Sequence, residues 1–166
     1  MHEPVIAHKP ELTVVGLRRS FIHALSPDAT NMQVIGPLWS EFLKQAASVP
    51  HRVGHAVYGV IFERPPVDRS HPDEREYVAG VAASFTAEVP AGMVARTIPT
   101  AQFAVFRHRG PIRDIGATIR AIYCDWLPAS PYEHSGLADI ELYDERFCPD
   151  SGESEMEYWI SIRPKA

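Results

Sequence analysis

The sequence predicts an α+β protein in which two pseudo-symmetric βαββ modules form one antiparallel sheet with two main helices and a central ligand cleft. Two observations predict it. The order strand, helix with tryptophan, loop, strand, turn or loop, strand occurs twice, with Trp39 and Trp126 standing 87 residues apart. Within that order the apolar residues fall at helical spacing in two segments and alternate in others. The same offset carries the strand around Gly16 onto the strand around Phe103, and Tyr58 corresponds to Tyr143 at a slightly smaller one. The period is too long for a solenoid. The modules therefore join edge to edge, each helix covering the sheet, and their seam is a natural ligand cleft. A single domain over residues 1–166 is expected, with halves of about 1–90 and 91–166.

In chain order, residues 12–17 are β-branched and apolar and read as a first strand. Ser26-Pro27-Asp28 reads as a helix start, with Ser26 as cap and Pro27 in the first turn. Met32, Ile35, Leu38, Trp39, Phe42, Leu43 and Ala46 follow at helical spacing, so a helix is expected near 28–47, and Gly36-Pro37 predicts a kink or fresh start within it. Residues 55–62 read as a strand, and 64–75, with three prolines and many charges, as a loop. Residues 77–85 alternate: Tyr77, Ala79, Val81, Ala83 and Phe85 share one face, and Val78, Gly80, Ala82 and Ser84 the other. The small residues of that second face admit close approach. A short strand over 92–98 and a strand over 101–108 follow. Gly110-Pro111 then opens a helix to 126, striped by Ile112, Ile115, Ile119, Ile122, Tyr123 and Trp126 and stopped at Leu127-Pro128. Residues 129–138 read as a loop, 139–147 as a strand, 148–154 as a turn and 155–163 as the last strand.

Composition narrows the function. The net charge is −5 with scattered Lys and Arg, which argues against a nucleic-acid groove or an anionic membrane surface. No apolar run approaches the ~20 residues of a membrane-spanning helix. The first residues lack the charged-then-apolar form of a signal peptide, so a cytoplasmic protein is expected. Cys124 and Cys148 have no metal-binding spacing and read as reduced thiols. None of the eight histidines forms H-x-x-x-H or H-E-x-x-H, so they read as surface or loop residues, with no metal and no cofactor expected. Hydrolase and nucleotide signatures such as G-x-S-x-G and Walker loops are absent.

The most informative stretch is Asp139-Ile140-Glu141-Leu142-Tyr143. As a strand it turns Ile140 and Leu142 toward the layer under a helix, and Glu141 and Tyr143 together the other way. A carboxylate beside a ring suits a cation, the ring face adding ~0.5–2 kcal/mol. The same pattern fits a carboxylate on a solvent face. Strand pairing brings either Tyr158 or Trp159 near Glu141. Trp39 and Trp126 lie on helix stripes, as core anchors or as ligand contacts. Met32, Met93 and Met156 read as core fillers, and the acidic residues from Asp144 to Glu157 as a solvated rim that favours cations.

The run from Arg96 to Pro111, Ile122-Tyr123-Cys124-Asp125-Trp126-Leu127-Pro128 and Asp139-Ile140-Glu141-Leu142-Tyr143 resemble the second half of GyrI-like domains. Val15-Gly16-Leu17-Arg18, Leu38-Trp39-Ser40-Glu41-Phe42 and Val57-Tyr58-Gly59-Val60 fit the first half. These are the effector-binding domains of AraC- and MerR-type regulators and stand-alone relatives. The resemblance implies a cleft for a lipophilic, often cationic or aromatic compound, with a glutamate at its bottom that Glu141 matches. Pseudo-symmetry of the two modules places Tyr58 and Tyr143 on opposite walls of that cleft, and Trp159, Trp39, Trp126 and Phe103 are the further candidate ligand contacts. Ala101 and Phe103 stand where glycine and tyrosine are frequent, which removes one hydroxyl. A stand-alone sensor or sequestering protein is the first reading. A hydrolase using Glu141, or a protein inhibitor of a topoisomerase such as DNA gyrase, is the alternative. No helix-turn-helix is evident, so any action on transcription is expected through a protein partner.

Overall fold

The computed structural model describes residues 3–84 and 88–165. Phe85 and His2 lie outside the described residues. The elements are β1 (Val5–Lys9), β2 (Leu12–Ile22), α1 (Asn31–Leu43), β3 (Arg52–Glu63), β4 (Glu74–Ala83), β5 (Val94–Ile98) and β6 (Ala101–Arg109). A second helix, α2, runs as Ile115–Arg120, continues through a π-helical stretch Ala121–Trp126 and ends in a turn Leu127–Ala129. β7 (Tyr132–Tyr143) and β8 (Glu155–Pro164) complete the chain.

The eight strands form one antiparallel sheet in the order β1-β6-β8-β7-β3-β4-β2-β5. This order is the signature of the duplication. β2-α1-β3-β4 and β6-α2-β7-β8 are related across the β3–β7 pair, where Gly59 stands opposite Glu141. The short leading strands are exchanged: β1 pairs with β6 of the second half, and β5 pairs with β2 of the first. Only Pro10 and Glu11 separate β1 from β2, although they lie near opposite ends of the sheet. Three Cα steps reach at most ~11 Å, so the sheet must curl to bring its ends together.

Two apolar clusters sandwich the sheet. One joins Leu38, Phe42, Ile119 and Ile122 of the helices to Leu17, Tyr77, Tyr143 and Tyr158 of the strands. The other, on the face without helices, holds Val14, Val60, Val78, Phe103, Ile140 and Trp159. The close approach foreseen at the small residues of β4 is made by β2 itself. A Cβ on Gly16 would stand 1.9 Å from the Ala79 carbonyl oxygen, and one on Gly80 would stand 2.5 Å from Val14 Cγ1.

Several expected elements are corrected. β1 was not anticipated. Ser26 to Ala29 forms a turn, and α1 begins only at Asn31, because the Thr30 carbonyl receives the Gln33 and Val34 N–H groups. Pro37 lies within α1 without ending it. The expected loop over 129–138 is mostly strand: β7 starts at Tyr132 and bulges between His134 and Asp139. Met32 is exposed rather than a core filler, and His108 is buried, bonded through Nδ1 to Thr118 Oγ1 at 2.8 Å. Among the described residues no helix is long and apolar enough to cross a membrane.

Candidate functional site

The cleft lies on the helix side of the β3–β7 seam, between α1 and α2. Its inner part is a cavity of about 140 Å³ walled by Phe21, Ile35, Ile61, Ile115, Ile119 and Tyr158, with Glu141 and Tyr143 on its floor. Gly36, Ile112 and Tyr143 also border an outer cavity of about 750 Å³, whose wall includes Trp39, Val57 and Phe147. Both helices thus contribute, one from each half.

Glu141 is 5% exposed. Its Oε2 accepts hydrogen bonds from the hydroxyls of Tyr77 and, at 2.8 Å, Tyr143. Trp39 Nε1 donates to the Tyr77 hydroxyl oxygen at 2.9 Å, so the helix orients the tyrosine that orients the carboxylate. Burial pushes the Glu141 carboxyl above its ordinary pKa, the two tyrosine bonds pull it back, and Asp139 raises it further. Among the described residues no cationic side chain contributes to its environment. Burial and the Glu141 charge also hold Tyr77 and Tyr143 well above the usual phenol value, so both stay neutral donors.

Gly59 makes this network possible. Tyr77 sits on β4, two strands from Glu141, with β3 between them. Its hydroxyl crosses β3 at Gly59, where a Cβ would stand 2.0 Å from Tyr77 Oη and 2.6 Å from Glu141 Oε2. Sequence reasoning missed both residues. The one available signal was a glycine inside the strand pattern of β3.

The predicted site residues divide between the two faces. Glu141, Tyr143 and Trp39 meet in the cleft, Trp39 and Tyr143 with ring centroids 5.4 Å apart. The parity of β7 is as expected, but the sides are reversed: Glu141 and Tyr143 lie under the helices, and Ile140 and Leu142 on the other face. Tyr58 pairs with Leu142 and lies on that other face with Phe103 and Trp159, so Tyr58 and Tyr143 do not face each other across one cleft. Trp159 packs against Phe103 and lies under Lys9 Nζ at 4.1 Å. Trp126 is on the helix side but turns away, stacking on Tyr132 and lining a cavity near Ile6. Tyr158, paired with Glu141, is the aromatic that β8 brings to the cleft.

A second buried carboxylate, Asp139, lies on the same face of β7. It accepts hydrogen bonds from Tyr123, from Tyr158 at 3.1 Å and from His134 at 2.9 Å. Among the described residues no three His, Cys, Asp or Glu side chains are grouped to hold a metal ion.

The molecule has clear relatives. The transcriptional regulator BrlR of Pseudomonas aeruginosa is 30% identical over 164 residues, which cover 98% of this chain and 56% of BrlR. The chain thus spans about half the length of that relative. SAV2435, solved bound to tetraphenylphosphonium, has the same fold: TM-score 0.75 at 15% identity, covering 98% of this chain and 94% of SAV2435. So does the EcmrR C-terminal domain, with TM-score 0.65 at 14% identity and 98% of each chain covered. Residues 2–163 match the GyrI-like small molecule binding domain, and the chain belongs to that family.

Proposed function

We propose that this chain is a binding domain for a lipophilic, cationic or aromatic organic compound, held between α1 and α2 with Glu141 as its counter-charge. The observation that carries this reading is a nearly inaccessible carboxylate, bonded among the described residues to neutral tyrosines alone, on the floor of a mainly apolar cleft. Keeping such a charge unpaired is costly, and a cation entering the cleft offsets that cost. Exposed Met32 and Leu43 stand at the two entrances, where they supply apolar surface to an incoming ring system. The tetraphenylphosphonium complex of SAV2435 supports the choice of ligand class. The likeness to the transcriptional regulator BrlR supports a role in regulation, and we read the chain as a cytoplasmic sensor that acts through a protein partner or further protein segments. We take residues 1–166 as one such domain, with halves of about 1–90 and 91–166.

Calorimetric titration with tetraphenylphosphonium and with neutral triphenylphosphine oxide tests the reading. Glu141→Gln keeps the shape and removes the charge. The cation should bind the variant at least about tenfold more weakly, the neutral compound equally well. Equal losses for both would remove Glu141 as the counter-charge. One observation favours a second reading, hydrolysis: a carboxyl with a raised pKa beside two tyrosine hydroxyls suits general acid–base work. In that case the same variant loses turnover of a reactive substrate while its fold persists.

A further inference from the structure

The Glu141 cavity does not end at Ile61. Ile61 and His23 line it and also line a second cavity of about 350 Å³. Asp139 is in the wall of that second cavity and is 5% exposed. It precedes Glu141 by two residues on one strand face, so the two carboxyl groups leave the sheet ~7 Å apart.

Asp139 is bonded but not neutralised. Oδ2 accepts from the hydroxyls of Tyr123 and Tyr158, and Oδ1 accepts from His134 Nε2. The bulge of β7 folds His134 back onto Asp139 and aims the Gly136 N–H at Nδ1, at 3.0 Å. A ring that accepts at Nδ1 carries its proton on Nε2 and is neutral. Arg75 lines the same cavity, yet it is occupied by Glu63 at 3.6 Å and by the carbonyls of Pro72 and Glu74. The result is a buried carboxylate held by neutral donors, beside an aromatic wall in which His23 meets the Tyr123 ring edge-on at 5.9 Å.

We propose that the cavity around Asp139 is a second ligand subsite, which takes a protonated amine at the far end of a ligand anchored at Glu141. The inference rests on the reading of the Glu141 cleft and narrows its ligand class to elongated aromatic diamines with nitrogens ~7 Å apart. His134 then acts as a competitor. Its ring shares the cavity with Asp139 on its own strand, Tyr123 of α2, His23 beyond β2, Glu63 of β3, and Asp73 and Arg75 at the start of β4, with Tyr158 of β8 on the same carboxylate. Burial lowers its pKa, but the bond and charge of Asp139, with Glu63, outweigh burial and leave it raised. On acidification the ring takes a second proton at Nδ1, gives up the Gly136 bond and supplies Asp139 with an internal counter-charge. The subsite therefore works above the His134 titration and is lost below it.

The test is calorimetry on the full chain with N-benzyl-1,5-diaminopentane and N-benzylpentylamine, which differ only in the terminal amine. Near pH 8 the diamine should bind about tenfold tighter. That gap should close near pH 6. It should also close in Asp139→Asn, read as the ratio of diamine to monoamine affinity in the same variant. Should Asp139→Asn fail to fold, imidazole ¹⁵N signals of the wild-type chain, assigned through His134→Gln, give the second readout: His134 shifts with the diamine and not with the monoamine. Equal affinities of the two probes, a diamine advantage that survives Asp139→Asn, or an unmoved His134 signal would each overturn the subsite. Glu141-dependent binding of the monoamine would still leave the cleft reading standing. If neither probe binds, the cleft reading falls and takes the subsite with it.

Discussion

Gly59→Ala is expected to dismantle the Glu141 site and to destabilise the protein by about 2–3 kcal/mol. The added methyl would overlap the Tyr77 hydroxyl and crowd the carboxylate. Tyr77 has nowhere to retreat, because it is fully buried, edge-on to Phe21 and Trp39. Displacing it removes one of two donors to a buried carboxylate, which adds the cost of an unmet hydrogen bond to that of overpacking. For a chain of this size the melting temperature should fall by roughly 5–10 °C, and tetraphenylphosphonium binding should go with it. An unchanged melting temperature with binding intact would show that Tyr77 does not cross the sheet at residue 59.

The affinity for tetraphenylphosphonium should fall about tenfold per pH unit below the Glu141 titration. The cation needs the ionised carboxyl, and burial sets that titration above the ordinary glutamate value of 4.5. The loss therefore begins at a higher pH than an exposed glutamate would give. Stability carries the opposite sign. A carboxyl with a raised folded-state pKa contributes stability that is full below its unfolded value and is lost as pH rises through the folded one. Glu141→Gln should thus melt higher than wild type near neutrality and equally below the ordinary carboxyl range. Glu74, held down to about 2 by Ser70 and Arg64, loses its contribution as the medium is acidified, but it does so in both proteins and cancels in the difference. A flat affinity profile between about pH 4 and pH 8 would exclude Glu141 as the titrating group.

The duplication and the parity of β7 were legible because both are local: a strand alternates whatever covers it, and a helix shows its stripe in any context. Which face a helix covers is a tertiary fact. That is why Glu141 and Tyr143 were grouped correctly and assigned to the wrong side. Tyr77 read as one more apolar residue in an alternating strand, since nothing near it in sequence reveals that its hydroxyl reaches over a glycine to another half of the molecule. Trp39 was visible as an aromatic on a helix stripe, but its indole donor finds its partner only after packing. The Asp139 cluster was hidden for a different reason. The segment with Gly136 carries loop chemistry, and the bulge that brings His134 to Asp139 is a strand wearing that chemistry.

The exchange of β1 and β5 between the halves makes the duplication a clasp rather than a tandem. Each module lends its first strand to its twin, so neither can complete its own sheet. Cut between the halves, near residue 88, the chain should yield two fragments that are unstructured apart and regain the cleft when mixed.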